Sequence, residues 1–129
     1  MLRALAPTDI RPPFGGYSHG IDIPAGMRLV LCSGQLGVAP DDSVPPTVEG
    51  QAEQCFRNIA AILREAGLGL GHVVRLAAYV TRREDMRAYM AVRDRFVGSP
   101  PPASTLMIVS GFTRAEFLVE VEATAAGPA

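Results

Sequence analysis

Near the C-terminus two carboxylates, Glu120 and Glu122, and two adjacent hydroxyls, Ser104 and Thr105, have the types and spacing for chemistry. A carboxylate can hold a water and take its proton, and against an apolar wall its pKa rises toward neutrality, where it exchanges a proton readily. Hydroxyls on one strand can donate to a bound carboxylate. In an extended chain Leu118, Glu120, Glu122 and Thr124 share one face, and Phe117, Val119, Val121 and Ala123 share the other. One face is core and the other carries acid. Ser104 to Val109 is β-branched and apolar behind three prolines, so it also predicts a strand. A turn over Ser110 to Arg114 would fold the two strands into an antiparallel hairpin, bringing Glu120 or Glu122 near Ser104.

The elements that must carry these residues follow from periodicity. Residues 7–16 are rich in proline and glycine and predict an irregular entry, followed by a short strand from Ser18 to Ile23 and a stronger one from Arg28 to Ser33. Glycines in Gly34-Gln35-Leu36-Gly37 let the backbone approach another group closely. From Val48 the period becomes 3.6, with Ala52, Cys55, Phe56, Ile59, Ile62, Leu63 and Ala66 on one stripe, Thr47 as N-cap and Gly67 just past the end. Val73 to Thr81 alternates as a strand with Ala77 and Tyr79 on its outer face. A second helix follows a capping box starting at Thr81, with Met86, Tyr89, Met90 and Phe96 inward. The order is β-β-α-β-α-β-β, with a short extra strand near Arg3. It predicts an α+β two-layer domain with both helices on one face of the sheet. The bare face then requires self-association.

At 129 residues the chain is long enough for one domain, residues 1–129, with a real core. Lys and Arg (12) nearly balance Asp and Glu (13), and a net charge of −1 provides no footprint for nucleic acid or an anionic membrane. The start lacks the apolar core of a secretory leader and no apolar run is long enough to span a bilayer, so a cytoplasmic location is expected. Cys32 and Cys55 have no metal-ligand spacing and are expected as buried thiols.

Taken in order, Pro13-Phe14, Tyr17-Ser18-His19-Gly20, Ser33-Gly34-Gln35, Gln51-Ala52, Asn58-Ile59, Ala66-Gly67-Leu68, Tyr79-Val80, Pro102-Ala103 and Val119-Glu120-Val121-Glu122 closely resemble the RidA/YjgF family of reactive-intermediate deaminases over nearly the whole chain. The resemblance implies a chorismate-mutase-like fold with a mixed sheet, and a homotrimer with a small-molecule cleft between subunits. It also implies hydrolysis of enamines and imines, such as 2-aminoacrylate, to keto acid and ammonia without metal or organic cofactor. Tyr17 and Ser33 would line the cleft and Glu120 would position the attacking water. The family's arginine after Pro-Ala, which clamps the substrate carboxylate with a two-pronged guanidinium, is Ser104 here, and an asparagine from the second helix is Met90. The chain therefore looks like a member of the arginine-lacking branches, which aminomuconate deaminases resemble.

Each candidate has a structural alternative. Glu120 could pair across the trimer, with Arg75 for example, and Glu122 is assigned to salt bridging. Ser104 and Thr105 could contact the ligand carboxylate or simply begin a strand. Tyr17 could orient substrate or pack at an interface. Ser33 has no base nearby in sequence, which points to hydrogen bonding rather than nucleophilic catalysis. His19 and His72 are structural or solvated, and Arg11 and Arg114 lie on loops from which either could replace the missing clamp. The chemistry implied by Glu120 is hydrolytic deamination, and the alternative implied by Ser104 is a non-catalytic trimeric protein that binds a carboxylate metabolite.

Overall fold

The strict alternation from Val119 to Ala125 places this strand at the heart of the sheet: Val119, Val121 and Ala125 are fully buried while Glu120, Glu122 and Thr124 are only half-buried. The structure is a computed structural model that describes residues 2–129. Its strands are β1 (Arg3–Leu5), β2 (Gly20–Asp22), β3 (Arg28–Leu36), β4 (Val73–Val80), β5 (Ala103–Ile108) and β6 (Val119–Gly127), with helices α1 (Val48–Glu65) and α2 (Met86–Phe96). β1 and β2 form a separate antiparallel ribbon, and the main sheet runs β3-β6-β4-β5. Both helices pack on one face, as the α+β two-layer expectation requires. The sheet is mixed, since β3, β6 and β4 are antiparallel neighbours while β5 runs parallel to β4.

α1 forms where the stripe and caps predict it. Thr47 Oγ1 accepts from the Gly50 N–H at 3.1 Å, and Gly67 takes a left-handed φ of 73° just beyond the last turn. Its apolar stripe buries Ala52, Cys55, Phe56, Ile59 and Leu63 completely against β6 and β3. Phe56 stacks on Phe96 of α2, with centroids 5.3 Å apart. Both cysteines are buried thiols.

The predicted hairpin of the last two strands does not form. β4 lies between β5 and β6, with Tyr79 paired to Met107 on one side and to Glu120 on the other. The cause is α2: a helical crossover returns the chain parallel to the strand it left, so β5 joins the outer edge of β4 and the loop after it must span the sheet to reach β6. The capping box at Thr81 is also replaced. A short 3₁₀ turn, Arg83–Asp85, precedes α2, and Arg82 grips the buried Asp85 with bonds of 3.1 and 2.7 Å. β3 extends to Leu36 through a bulge at Ser33-Gly34, beyond the expected end at Ser33. The strand expected over Ser18 to Ile23 shortens to β2, with Ser18 making a single parallel bridge to Ala103.

Candidate functional site

β6 projects Glu120, Glu122 and Thr124 from the sheet face opposite the helices, because the other parity is committed to the core. On that face Glu120 lies across from Tyr79 of β4 and Leu36 of β3. The bulge in β3 brings backbone directly against the Glu120 carboxylate, and a Cβ on Gly34 would lie 2.7 Å from Oε2. Only glycine lets the chain come that close. Glu120 takes part in no ion pair among the described residues, and in particular Arg75 does not reach it. Arg75 instead donates to Thr105 Oγ1 at 3.2 Å. The carboxylate is half-buried, unpaired and set against a kinked backbone.

Glu122, expected in a salt bridge, accepts a hydrogen bond from the Tyr79 hydroxyl at 2.5 Å. That bond raises the Tyr79 pKa, because the phenolic proton is held by a carboxylate, with burial and the charges of Glu122 and Glu120 adding to it. A concavity of about 310 Å³ on the same sheet face is lined by Leu31, Arg75, Ala77, Glu122 and Thr124, and Glu120 lies outside it.

The remaining predicted residues occupy three other places. Ser33 is exposed within the β3 bulge, two residues from Gln35, whose side chain donates to the Ser33 carbonyl at 3.1 Å. Tyr17 is half-buried on the entry segment, and its hydroxyl accepts from the Phe14 N–H at 3.1 Å. His19 is tied to the same segment, its Nε2 lying 2.7 Å from the Arg11 carbonyl, consistent with a structural role. Thr105 shares the Glu120 face, whereas Ser104, paired with the core residue Leu76, points to the helix side. One chain therefore does not bring Glu120 and Ser104 together: the intervening strand β4 and the thickness of the sheet separate them. Arg11 lies over the exposed Phe14 ring at 3.8 Å, and Arg114 pairs with Glu116 at 3.4 Å, so both are engaged locally.

The sequence expectations placed Tyr89 of α2 inward, as it is, but passed over Arg93. Tyr89 is fully buried and its hydroxyl has no hydrogen-bond partner, a condition shared by Ser104 Oγ. Arg93, one turn on, is 3% exposed. The spacing from Tyr89 was the available signal: an arginine four residues on from an inward aromatic shares its stripe. Among the described residues no cluster of three or more His, Cys, Asp or Glu is placed to hold a metal ion, and no helix is long and apolar enough to cross a membrane.

Comparison with known proteins matches residues 8–127 to the family described as Endoribonuclease L-PSP. The chain is 32% identical over 128 residues to the protein DfrA of Myxococcus xanthus, covering 97% of this chain and 96% of that protein. It is 28% identical over 129 residues to the 2-iminobutanoate/2-iminopropanoate deaminase of Escherichia coli K12, covering 97% and 98% of the two chains. A solved Rid-family structure from Yersinia pestis superposes with a TM-score of 0.86 at 28% identity, covering 98% of each chain.

Proposed function

Since this chain belongs to the Endoribonuclease L-PSP family, whose members include RidA and YjgF proteins and imine deaminases, we propose that it hydrolyses the C=N bond of small 2-imino acids. The single observation that carries this is the Glu120 carboxylate, unpaired and pressed against the Gly34 backbone. A water held by Glu120 loses a proton to the carboxylate as its oxygen bonds to the imine carbon, and the carboxyl passes that proton to the nitrogen, which takes up the C=N π electrons, so the carboxylate is regenerated. The tetrahedral carbinolamine then collapses. The carboxylate takes the hydroxyl proton and delivers it to the amine nitrogen as the C–N bond breaks and the C=O bond forms, and the products are a keto acid and ammonia. Tyr17 and Ser33 serve as hydrogen-bonding wall residues and Thr105 as a donor on the Glu120 face. Tyr17 contributes from an edge that a second copy of the chain presents to Glu120, while the buried Ser104 hydroxyl stays on the helix side.

A homotrimer with clefts between subunits fits two features. The sheet face opposite the helices leaves Leu29, Leu31 and Met107 56%, 75% and 49% exposed, a surface that self-association removes from water. The residues assigned to the site also lie on opposite faces of one sheet. With Glu120 and Glu122 on it, this face suits a small molecule better than a phosphate backbone, for which positive charge supplies affinity. A cytoplasmic location belongs to the same proposal.

The test is ammonia release from 2-iminobutanoate and 2-iminopropanoate generated in place by a dehydratase. The protein should accelerate release over buffer, and Glu120→Gln should remove roughly 10² or more of that acceleration. Equal release with and without protein for both substrates defeats the proposal. In that case the uncharged Ser104 favours a binding protein without turnover.

A further inference from the structure

The bulge of β3 meets the Glu120 carboxylate, and pairing with β6 alone does not fix where that bulge lies. Between Cys32, paired with Ala123, and Gln35, paired with Val121, β3 carries one residue more than β6. A surplus residue has no partner in the ladder, and shifting it one step along the strand exchanges the faces of the side chains it passes. One step toward Gln35 would set a side chain against Glu120 in place of Gly34, where a Cβ has only 2.7 Å to Oε2. β3 is also an edge strand of the main sheet, so no strand pins its other side. The hold must come from another layer.

α1 supplies it. Cys55 Sγ donates to the Gln35 carbonyl at 3.1 Å, and Asn58 Nδ2 donates to the Leu36 and Val38 carbonyls at 3.3 and 3.4 Å. Leu36 is the residue that faces Glu120 across the β3–β6 pair, and its carbonyl also accepts from the Val38 N–H at 2.8 Å, which closes the end of the strand. Carbonyls only accept, so these two fix which end of the Asn58 amide carries the NH2 group. The other end, Oδ1, accepts from Gln54 Nε2 at 2.8 Å, which locks the amide from the helix side. Between the two anchors Gly37 lies so close to α1 that a Cβ there would meet the Gln51 Cα at 2.6 Å. Residues 35–38, directly after the bulge, are thus moored on the helix. The charge of Glu120 reaches far enough through the sheet to help raise the Cys55 thiol, after burial, so hold and acid are near neighbours.

We propose that Asn58 is a positioning residue, with Cys55 as a second and weaker anchor, that fixes the bulge against Glu120 and so sets where the carboxylate holds the attacking water. It touches neither water nor substrate. Asn58 ranks first because its amide makes two bonds to the moored segment, whereas a thiol is a weak donor making one. The kinetic consequence rests on the hydrolase assignment; the structural one does not.

The experiment is a double-mutant cycle between Asn58 and Glu120, read in kcat and KM for 2-iminobutanoate generated in place, well below the melting temperature of every variant. Asn58→Ala should lower kcat ~10-fold and leave KM within about twofold, since a displaced acid still leaves the substrate bound. In the Glu120→Gln background the same substitution should change kcat less than about twofold, because Asn58 acts through the carboxylate. Cys55→Ala should lower kcat ~3-fold, and Cys55→Ser, which keeps a donor, should bring it back to within about twofold of the parent. A residue that only stabilises the fold would lower Tm and leave kcat alone, or lower it equally in both backgrounds. Either result overturns the proposal, and should Asn58→Ala not fold, the two Cys55 variants decide by the same criteria. The Gly34 amide and Glu120 side-chain carboxyl resonances give a readout without turnover: both should move in Asn58→Ala and in Cys55→Ala and return in Cys55→Ser. The two assignments fail separately. No hydrolysis by the parent removes the hydrolase, and the resonances then decide the positioning, whereas Glu120-dependent hydrolysis with kcat and both resonances unmoved in Asn58→Ala removes the positioning and leaves the hydrolase.

Discussion

The first turn of α1, the inward face of α2 and the start of β5 all bury polar side chains, yet every side-chain polar atom of Gln51 is bonded while the hydroxyls of Tyr89 and Ser104 bond nothing. Gln51 is 1% exposed. Its amide donates to the carbonyls of Pro45 and Glu116, each at 2.9 Å, and its Oε1 accepts from the Leu118 N–H at 2.8 Å. It therefore ties the loop before α1 to the loop that enters β6. Gly37 permits this closeness, since a Cβ there would meet the Gln51 Cα at 2.6 Å. A saturated polar group is structural glue, and an unsaturated one is capacity held for something else. The same contrast recurs on β6, where Glu122 is held by Tyr79 and Glu120, two residues away, is held by nothing.

The largest expected effect comes from that pair. Glu120→Gln should lower the imine-hydrolysis rate by roughly 10²–10⁴ with little change in melting temperature, because no partner is lost. Glu122→Gln keeps an acceptor for Tyr79 and should change the rate less than about fivefold on the same scale. Comparable rate losses in both variants would erase the distinction between the two glutamates. Next in size is Gln51→Leu, which strands two carbonyls and an N–H. A loss of about 2–4 kcal/mol, seen as a fall of roughly 10 °C in Tm, is expected by thermal unfolding. A fall of under 2 °C would mean the Gln51 network is not what positions β6.

Smaller again is the contrast between two tyrosines. Tyr89→Phe should leave Tm level or higher, whereas Tyr79→Phe removes a donor to Glu122 at a partly solvated site and should cost under about 1 kcal/mol. Tyr79 also gives this contrast a pH signature. Its folded pKa is raised by the bond to Glu122, so its stabilisation is complete below the ordinary tyrosine value of about 10 and is lost as pH climbs through the raised one. Urea midpoints measured above pH 10 should therefore fall more steeply for the parent than for Tyr79→Phe, and parallel curves would contradict the Tyr79–Glu122 bond.

Local periodicity made the elements legible. The alternation of β6 and β4, and the stripe of α1 with Thr47 and Gly67 at its ends, are written residue by residue in the chain. Pairing is not. The turn residues Ser110 to Arg114 say that the chain bends, but they carry no record of α2, whose crossover seats β4 between the two strands meant to meet. The Glu120 face was legible by parity and the close approach of Gly34 by residue type. The helix-side position of Ser104 follows from the same parity, since Ser104, Leu106 and Ile108 share one face of β5 and Thr105 and Met107 the other. The spacing from Tyr89 put Arg93 on the inward stripe, but its near-complete burial was not legible, because an arginine near a helix end ordinarily reaches solvent and packing against the glycine segment encloses it here.

The smallest expected effect tests how far the free carboxylate reaches into the core behind it. Cys55 donates its thiol to the Gln35 carbonyl at 3.1 Å, just past the bulge that meets Glu120. Burial, and after it the negative charge of Glu120, pushes the Cys55 thiol up to about 12. At pH 8 it is therefore protonated as well as enclosed, and an aromatic disulfide reagent should modify it only as fast as the protein opens. Glu120→Gln removes the lesser cause and leaves the enclosure, so the native labelling rate should stay within about twofold while the thiol pKa drops slightly. If labelling instead accelerates tenfold with Tm unchanged, the carboxylate guards the bulge sterically. Glu120 would then be a structural plug like Gln51, and the contrast between held and unheld polar groups would fail at the residue on which the proposed chemistry depends.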